Sequence, residues 1–493
     1  MPKSPKFGEI TTGNKINILI DGYETFNLIF KKIAGANSSI YFALYDMDPS
    51  ITFERKSPLL VKKENVKSNG NKSSNPKIIP TLQDLLIDKA RAGLEIKIIV
   101  WEPNKGIKLL PNKNKKGLEP RNIKLNELNK LTKKNKLKNI QIIYDSSGPT
   151  LISGHHEKLI LIDKKIAFCG GVDLTFGKWD TSEHTFSNPL RDTVQDEPWH
   201  DVHLMVEGPI LRDFIYHFHQ RLYYAISEDK KQTRKKIKIP ILNTKRLGPY
   251  QCYASRTWKG FDNSKGIFEN YKNLISNAKK NIYIENQFSF QDKSITNILI
   301  NCLKENKKLK VIILTPLNPN LPGMIRSIIS HMSINDINKN LKRIRDTDPN
   351  RVGIFSLISQ NKNKLNAIKQ IYVHSKLMIV DDKYITIGSA NLDKNGFRDS
   401  TEFNISIISS PLAKQFRMKL WKEHLGLDIS LQSEKGQNFD EGFKLWKQTA
   451  YSNGINLKNN SKIKGFVYYY NYEEMGLPKP YLDAIGVNKF VIY

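Results

Sequence analysis

Two short stretches of this chain carry the same set of reactive side chains. One runs His156-Glu157-Lys158-Leu159-Ile160-Leu161-Ile162-Asp163, and the other His374-Ser375-Lys376-Leu377-Met378-Ile379-Val380-Asp381. Both have the form His-x-Lys-x4-Asp. A lysine supplies fixed positive charge to the non-bridging oxygens of a phosphodiester. A histidine, with an ordinary pKa of about 6.5, can attack phosphorus or pass a proton near neutral pH. Two copies provide what a two-step displacement needs, a nucleophile on one side and an acid on the leaving-group side. A single histidine on an apolar strand is more often a satisfied core residue. Two copies in matching contexts, each followed by a glycine turn, argue against coincidence. His155, His184, His200 and His203, taken singly, are expected to be such core residues.

The apolar runs behind both motifs are rich in β-branched residues and predict buried strands. Alternate side chains on a strand share a face, so His156 and Lys158 point together, as do His374 and Lys376. Asp163 and Asp381 complete the motifs and so join the candidate catalytic set. Their opposite parity, at the strand ends, suits the holding of turn amides better than chemistry. After the second motif, Gly388-Ser389-Ala390-Asn391 is a small-residue turn able to donate to a phosphate, and Gly171 and Asp173 stand at the matching place after the first. Glu402 follows His374 and Asp201 follows His156. Each is a candidate to hold the imidazole of its own half through the far ring nitrogen.

The elements that must position these groups recur in two halves. A helix over 26–36 leads to a strand at 39–44, and a helix over 268–278 to a strand at 281–285. Second helices at 81–92 and 295–303 feed strands at 96–100 and 309–314. This alternation predicts a layered α/β fold. The boundaries expected are a first lobe over 1–235, a second over 236–430 and an extension over 431–493 folded on the core through its aromatics. An Asn/Ser/Lys-rich insert over 62–77 is expected to be a flexible loop. A basic insert covers 105–139, with leucines at helical spacing near Leu125–Leu131. A charged stretch over 228–238 joins the halves.

The 493 residues carry 78 Lys+Arg against 48 Asp+Glu, a net charge of +30. That surplus favours anionic partners. Much of the lysine comes with asparagine and isoleucine, as an AT-rich coding sequence would give, so charge alone names no ligand. Three scattered cysteines, Cys169, Cys252 and Cys302, fit neither a disulfide framework nor a zinc site. No Cys/His cluster has zinc spacing and no Asp-rich loop calcium spacing. No run reaches the roughly 18 apolar residues of a membrane span. The first twenty residues lack the apolar stretch of a signal peptide, so a cytoplasmic location, or export by a signal-independent route, is expected. Delivery into another cell as an effector is compatible with this.

These residues resemble the phospholipase D superfamily, and within it the eukaryotic-type phospholipases. The resemblance rests on HHEKLILIDKKIAFCGGVDLTFGKWDT (155–181), PWHDVHLMVEGP (198–209), NIYIENQF (281–288), YVHSKLMIVDDKYITIGSANL (372–392), RDSTE (398–402) and LWKEHLG (420–426). It covers roughly residues 15 to 430 and is thin in the basic inserts. It implies a duplicated two-lobed fold, each lobe a mixed sheet flanked by helices, with one active site at the lobe interface. It implies a covalent phosphohistidine, no cofactor and no metal in the chemistry. His156 would be the nucleophile and His374 the acid and then the base. Lys158, Lys376, Ser389 and Asn391 would hold the phosphate, and Asp201 and Glu402 would orient the histidines. The substrate implied is a glycerophospholipid at a membrane surface, with basic surface attracted to anionic lipid. Phosphatidic acid and a free head group would be released, or the head group exchanged with another alcohol. Superfamily nucleases and cardiolipin synthases are the alternatives. The former generally carry one motif per chain, so nucleic acid is not the expected partner, and this chain is expected to act as a monomer.

Overall fold

The structure is a computed structural model that describes residues 7–52, 55, 80–102, 123–147, 154–191, 196–227, 245–317, 324–427 and 437–470. The insert expected at 62–77 and the joining stretch at 228–238 lie outside the described residues.

The first half runs β1 (Thr11–Ile20), α1 (Asp21–Ala34), β2 (Ser39–Leu44), α2 (Leu82–Arg91), β3 (Glu95–Trp101), α3 (Ile123–Lys134), β4 (Ile140–Asp145), β5 (Lys158–Ile162), β6 (Ile166–Gly170), β7 (Trp199–His200), β8 (Val202–Glu207) and α4 (Leu211–Ile226). The second runs β9 (Tyr250–Trp258), β10 (Ser264–Lys265), α5 (Gly266–Ser276), β11 (Asn281–Asn286), α6 (Lys293–Glu305), β12 (Lys310–Leu314), α7 (Met324–Thr347), β13 (Val352–Gln360), β14 (Ile368–Val373), β15 (Lys376–Val380), β16 (Tyr384–Gly388), β17 (Thr401–Ile408), α8 (Ser410–Leu425), α9 (Phe439–Lys458) and β18 (Val467–Tyr469). Most helix ends follow local chemistry. Thr81 and Asp84 form a reciprocal capping box on α2, Ser409 caps α8, and Gly426 ends α8 in the left-handed region at φ 59°.

The first sheet has the order β4-β3-β2-β5-β6-β8-β1, with β2, β3 and β4 parallel and the rest antiparallel. The second repeats it as β13-β12-β11-β15-β16-β17-β9. The registers repeat as well, with Leu44 opposite Lys158 and Asn286 opposite Lys376. β1 joins the sheets, pairing with β8 along Lys15–Ile20 and with β9 from Thr11 to Asn14.

Alternation along each strand decides the packing. Ile40 and Phe42 face a core with α1 and α2, whereas Tyr41 and Ala43 face a seam shared by both halves. Ile282 and Ile284 likewise face α5 and α6, and Tyr283 faces the seam. Each such buried aliphatic or aromatic side chain contributes about 1.5–3 kcal/mol, so the seam welds the halves as firmly as either half is packed internally. The described part of the C-terminal extension adds Phe443 and Trp446 from α9 to the seam, and β18 pairs with β13. Among the described residues no helix is long and apolar enough to cross a membrane.

Candidate active site

Both motif histidines stand just ahead of the strand that carries the lysine, and each is placed by backbone from the opposite half. His156 donates its backbone N–H to the Thr401 carbonyl at 2.8 Å, and Thr401 donates back to Gly154 at 2.9 Å. His374 donates to the His200 carbonyl at 2.8 Å, beside a short parallel pairing of β14 with β7. The side chains follow this exchange. His156 Nδ1 lies 3.0 Å from Glu402 Oε1 and 3.1 Å from the Ser389 carbonyl, and His374 Nδ1 lies 2.7 Å from Asp201 Oδ2. This corrects the sequence-based pairing. Glu402 serves His156 and Asp201 serves His374, because each carboxylate directly follows a residue, Thr401 or His200, whose backbone hydrogen-bonds to the histidine of the other half.

The four motif side chains share one electrostatic site. Burial first, and then the Lys158 and Lys376 ammoniums, hold His156 well below its ordinary pKa. Burial, Lys376, Lys178 and Lys158 do the same to His374. Burial pushes Asp201 up to about 7 and Glu402 well above the carboxylate range, and brings Lys376 down to about 7. Each imidazole–carboxylate pair thus holds a proton between the partners; with that proton alone the outer ring nitrogen has a free lone pair, and with a second proton in the pair it carries an N–H. Lys158 Nζ donates to the His156 carbonyl at 2.8 Å and lies 3.3 Å from Asp173. Lys376 Nζ donates to the His374 carbonyl and, at 3.0 Å, to Gln287. The two lysines therefore occupy equivalent places. His156 is the more open imidazole, with 17% of its side chain exposed against 7% for His374.

The four residues expected to touch phosphate have individual settings. The Ser389 hydroxyl donates to Glu402 at 2.5 Å, and Asp173 faces Lys158. A Cβ on Gly171 would meet Asp201 Oδ1 at 2.0 Å, so only glycine leaves room for that carboxylate. The Asn391 amide oxygen is buried without a hydrogen-bond partner among the described residues. Asp163 and Asp381 are not at the site, which corrects their place in the candidate catalytic set. Asp163 accepts from the backbone of Asn37, Ser38 and Ser39, and Asp381 from Lys279, Lys280 and Asn281. Each also sits in the left-handed region, at φ 53° and 55°, which aspartate tolerates better than most residues.

Behind His374 lies a buried charged cluster. His200 bridges Asp21 at 2.9 Å and Glu285 at 3.0 Å, and Ser375 donates to Glu285 at 2.7 Å. His184 meets Asp180 at 3.0 Å and Glu423 at 3.3 Å. Burial opposes charge on His184, but Asp21, Asp180 and Glu423 outweigh it and push the pKa up to about 10. Asp21, His184, His200 and Glu423 bring one ligand atom each within 4.8 Å of one another, a donor set that suits a divalent cation. These residues are far apart in sequence, so no linear spacing reveals the set. His155 is held by Thr401 at 2.7 Å and by Asp145. His203 accepts from the Val172 N–H at 3.4 Å. Sequence reasoning also missed Tyr45, Trp101, Lys178, Trp199, Gln287 and Tyr372, which surround the histidines. Lys178, Trp199, Gln287 and Tyr372 lie inside the blocks that carry the resemblance, so a signal was present. Tyr45 and Trp101 merely end apolar strands and offered none.

With this geometry in view, comparison with known proteins is specific. Residues 72–245 match the family described as Phospholipase D, and residues 271–423 the family described as Cardiolipin synthase, PLD-like domain. Phospholipase D A of Dictyostelium discoideum is 28% identical over 70% of this chain and 32% of its own length. Phospholipase D zeta 2 of Arabidopsis thaliana is 24% identical over 91% of this chain and 57% of its own. The chain thus spans about a third and somewhat over half of these relatives. Among solved structures, the phosphatidylserine synthase of Haemophilus influenzae Rd KW20 has the same fold, with a TM-score of 0.55, 12% identity, and coverage of 96% of this chain and 92% of that one.

Proposed function

The chain belongs to the phospholipase D superfamily, and from that premise we propose that it is a phospholipase D acting on the distal phosphodiester of glycerophospholipids. The observation that carries this is the exchange of carboxylates, which holds two neutral imidazoles and two ammoniums about one site. His156, the more exposed ring, attacks phosphorus with its outer nitrogen. The P–O bond to the head group breaks, and His374 gives its outer-nitrogen proton to the leaving oxygen. Lys158 and Lys376 offset the charge that gathers on the phosphoryl oxygens. Water then enters on the His374 side and yields a proton to it. The P–N bond breaks, giving phosphatidic acid and restoring both rings. An alcohol in place of water gives head-group exchange. Both motifs lie in one chain, so a monomer suffices.

The test is head-group release from mixed phospholipid vesicles, with plasmid nicking measured beside it. His156→Ala and His374→Ala should each lower release by roughly 10³-fold or more. Mass spectrometry of the protein quenched in base during turnover should find the phosphatidyl group, or its deacylated glycerophosphoryl remnant, on His156. That group on His374 alone would reverse the two roles, and nicking that needs both histidines would move the substrate to nucleic acid.

A further inference from the structure

The repeat is broken at one place beside the motif strands. β2 and β11 hold equivalent positions, and in their registers Ala43 faces Leu159 where Glu285 faces Leu377. A fully buried carboxylate thus stands in the second half where the first has a methyl group. A buried charge is costly unless its oxygens are engaged, and both oxygens of Glu285 are. Oε2 accepts from Ser375 at 2.7 Å and meets His200 Nε2 at 3.0 Å. Oε1 accepts from Tyr283 at 2.6 Å and meets His424 Nε2 at 3.2 Å. Burial opposes its charge, but His200 and then His424 outweigh it and hold Glu285 below the ordinary carboxylate range.

Two of these partners bracket His374. Ser375 follows it in the chain, and the His200 carbonyl accepts from the His374 N–H at 2.8 Å. His200 also precedes Asp201, whose carboxylate holds His374 Nδ1 at 2.7 Å. The other nitrogen of His200 meets Asp21 at 2.9 Å, and Asp21 accepts from the Asp201 N–H at 3.2 Å. One carboxylate therefore ties down the residue after His374 and the segment that orients its ring. The His156 side is built differently. Glu157 stands in the place of Ser375 and pairs with Arg221, which also donates to Asp145 at 2.6 Å. Resting on the phospholipase reading above, we propose that Glu285 is a positioning residue for His374, the acid and then the base, and takes no part in the attack by His156.

The experiment uses mixed phospholipid vesicles, with phosphatidyl-p-nitrophenol as a second substrate. An aliphatic head group leaves only with a proton, which His374 supplies. p-Nitrophenolate leaves with the electron pair of the P–O bond and needs none. In Glu285→Gln, kcat for head-group release should fall about 10²-fold, the scale of an ångström's misplacement, with KM little changed. p-Nitrophenol should still appear in a burst equimolar with the enzyme, at close to the unaltered rate. Turnover should then slow for want of a base to activate water. A burst slowed in step with head-group release, or head-group release close to that of the unaltered chain, overturns the proposal. Where Glu285→Gln does not fold, Ser375→Ala decides. The same pattern at roughly tenfold supports the proposal, and unchanged head-group release or equal losses on both substrates overturn it. His374→Ala should also give the burst, and His156→Ala should not. The reverse overturns the roles assigned above and this inference with them. A chain that releases neither product overturns the phospholipase reading itself.

Discussion

Lys376 shows how the site sets chemistry against stability. Its side chain is fully buried, and its pKa is brought down to about 7 chiefly by burial. Between that value and its ordinary 10.5 the folded chain binds fewer protons here than the unfolded chain. The stability this contributes is present at high pH and is lost as pH falls through about 7. Asp201, raised to about 7, acts in the opposite sense, losing its contribution as pH rises toward that value. The two together place a local minimum of stability near neutrality, where the groups must work. Lys376→Met removes a buried charge, so it should abolish turnover yet stabilise the fold. The gain at pH 6 should exceed that at pH 9 by roughly 1–3 kcal/mol. Denaturant melts at the two pH values measure this, and an equal or reversed gain would refute the account.

At the scale of elements, the last residue of each motif belongs to the turn and not to the site. Asp163 and Asp381 each gather three successive backbone N–H groups ahead of β2 and β11, which fixes the register of the strands beside the lysines. Asp381→Ala should cost about 1–3 kcal/mol of stability and leave kcat within a few-fold at a temperature where the variant is folded. A loss of several orders of magnitude in kcat, with an unchanged denaturation midpoint, would return this aspartate to the chemistry. Strand parity in the sequence already pointed this way. The strands at 39–44 and 281–285, and the helices before them, were legible too, because periodicity and apolar runs are local. The pairing of Glu402 with His156 was not, because it depends on which strand of one half hydrogen-bonds to the other half. The four-residue donor set around His200 was invisible for the same reason, and so were β1 and β9, whose mixed polar residues hide their role in joining the sheets.

At the scale of the molecule, neither half is complete. The first supplies His156 without Glu402, and the second supplies His374 without Asp201. Residues 1–227 and 245–493, produced separately, should each show less than about 1% of the intact rate, given the loss of both the partner imidazole and the orienting carboxylate. Mixed after co-expression, they should recover activity, because the apolar seam and the β1–β9 pairing would draw them together. Activity in either fragment alone would contradict a single composite site.

The backbone bonds that bring the imidazoles together run from Gly154 and His156 to Thr401, and from His374 to His200. They make the catalytic centre its own fastener. A hinge that parted the halves to admit a lipid would have to tear out the groups it was meant to serve. On the phospholipase D reading proposed above, a lipid would therefore enter and leave by movements at the rim, and the gap between His156 and His374 would keep its width throughout the cycle.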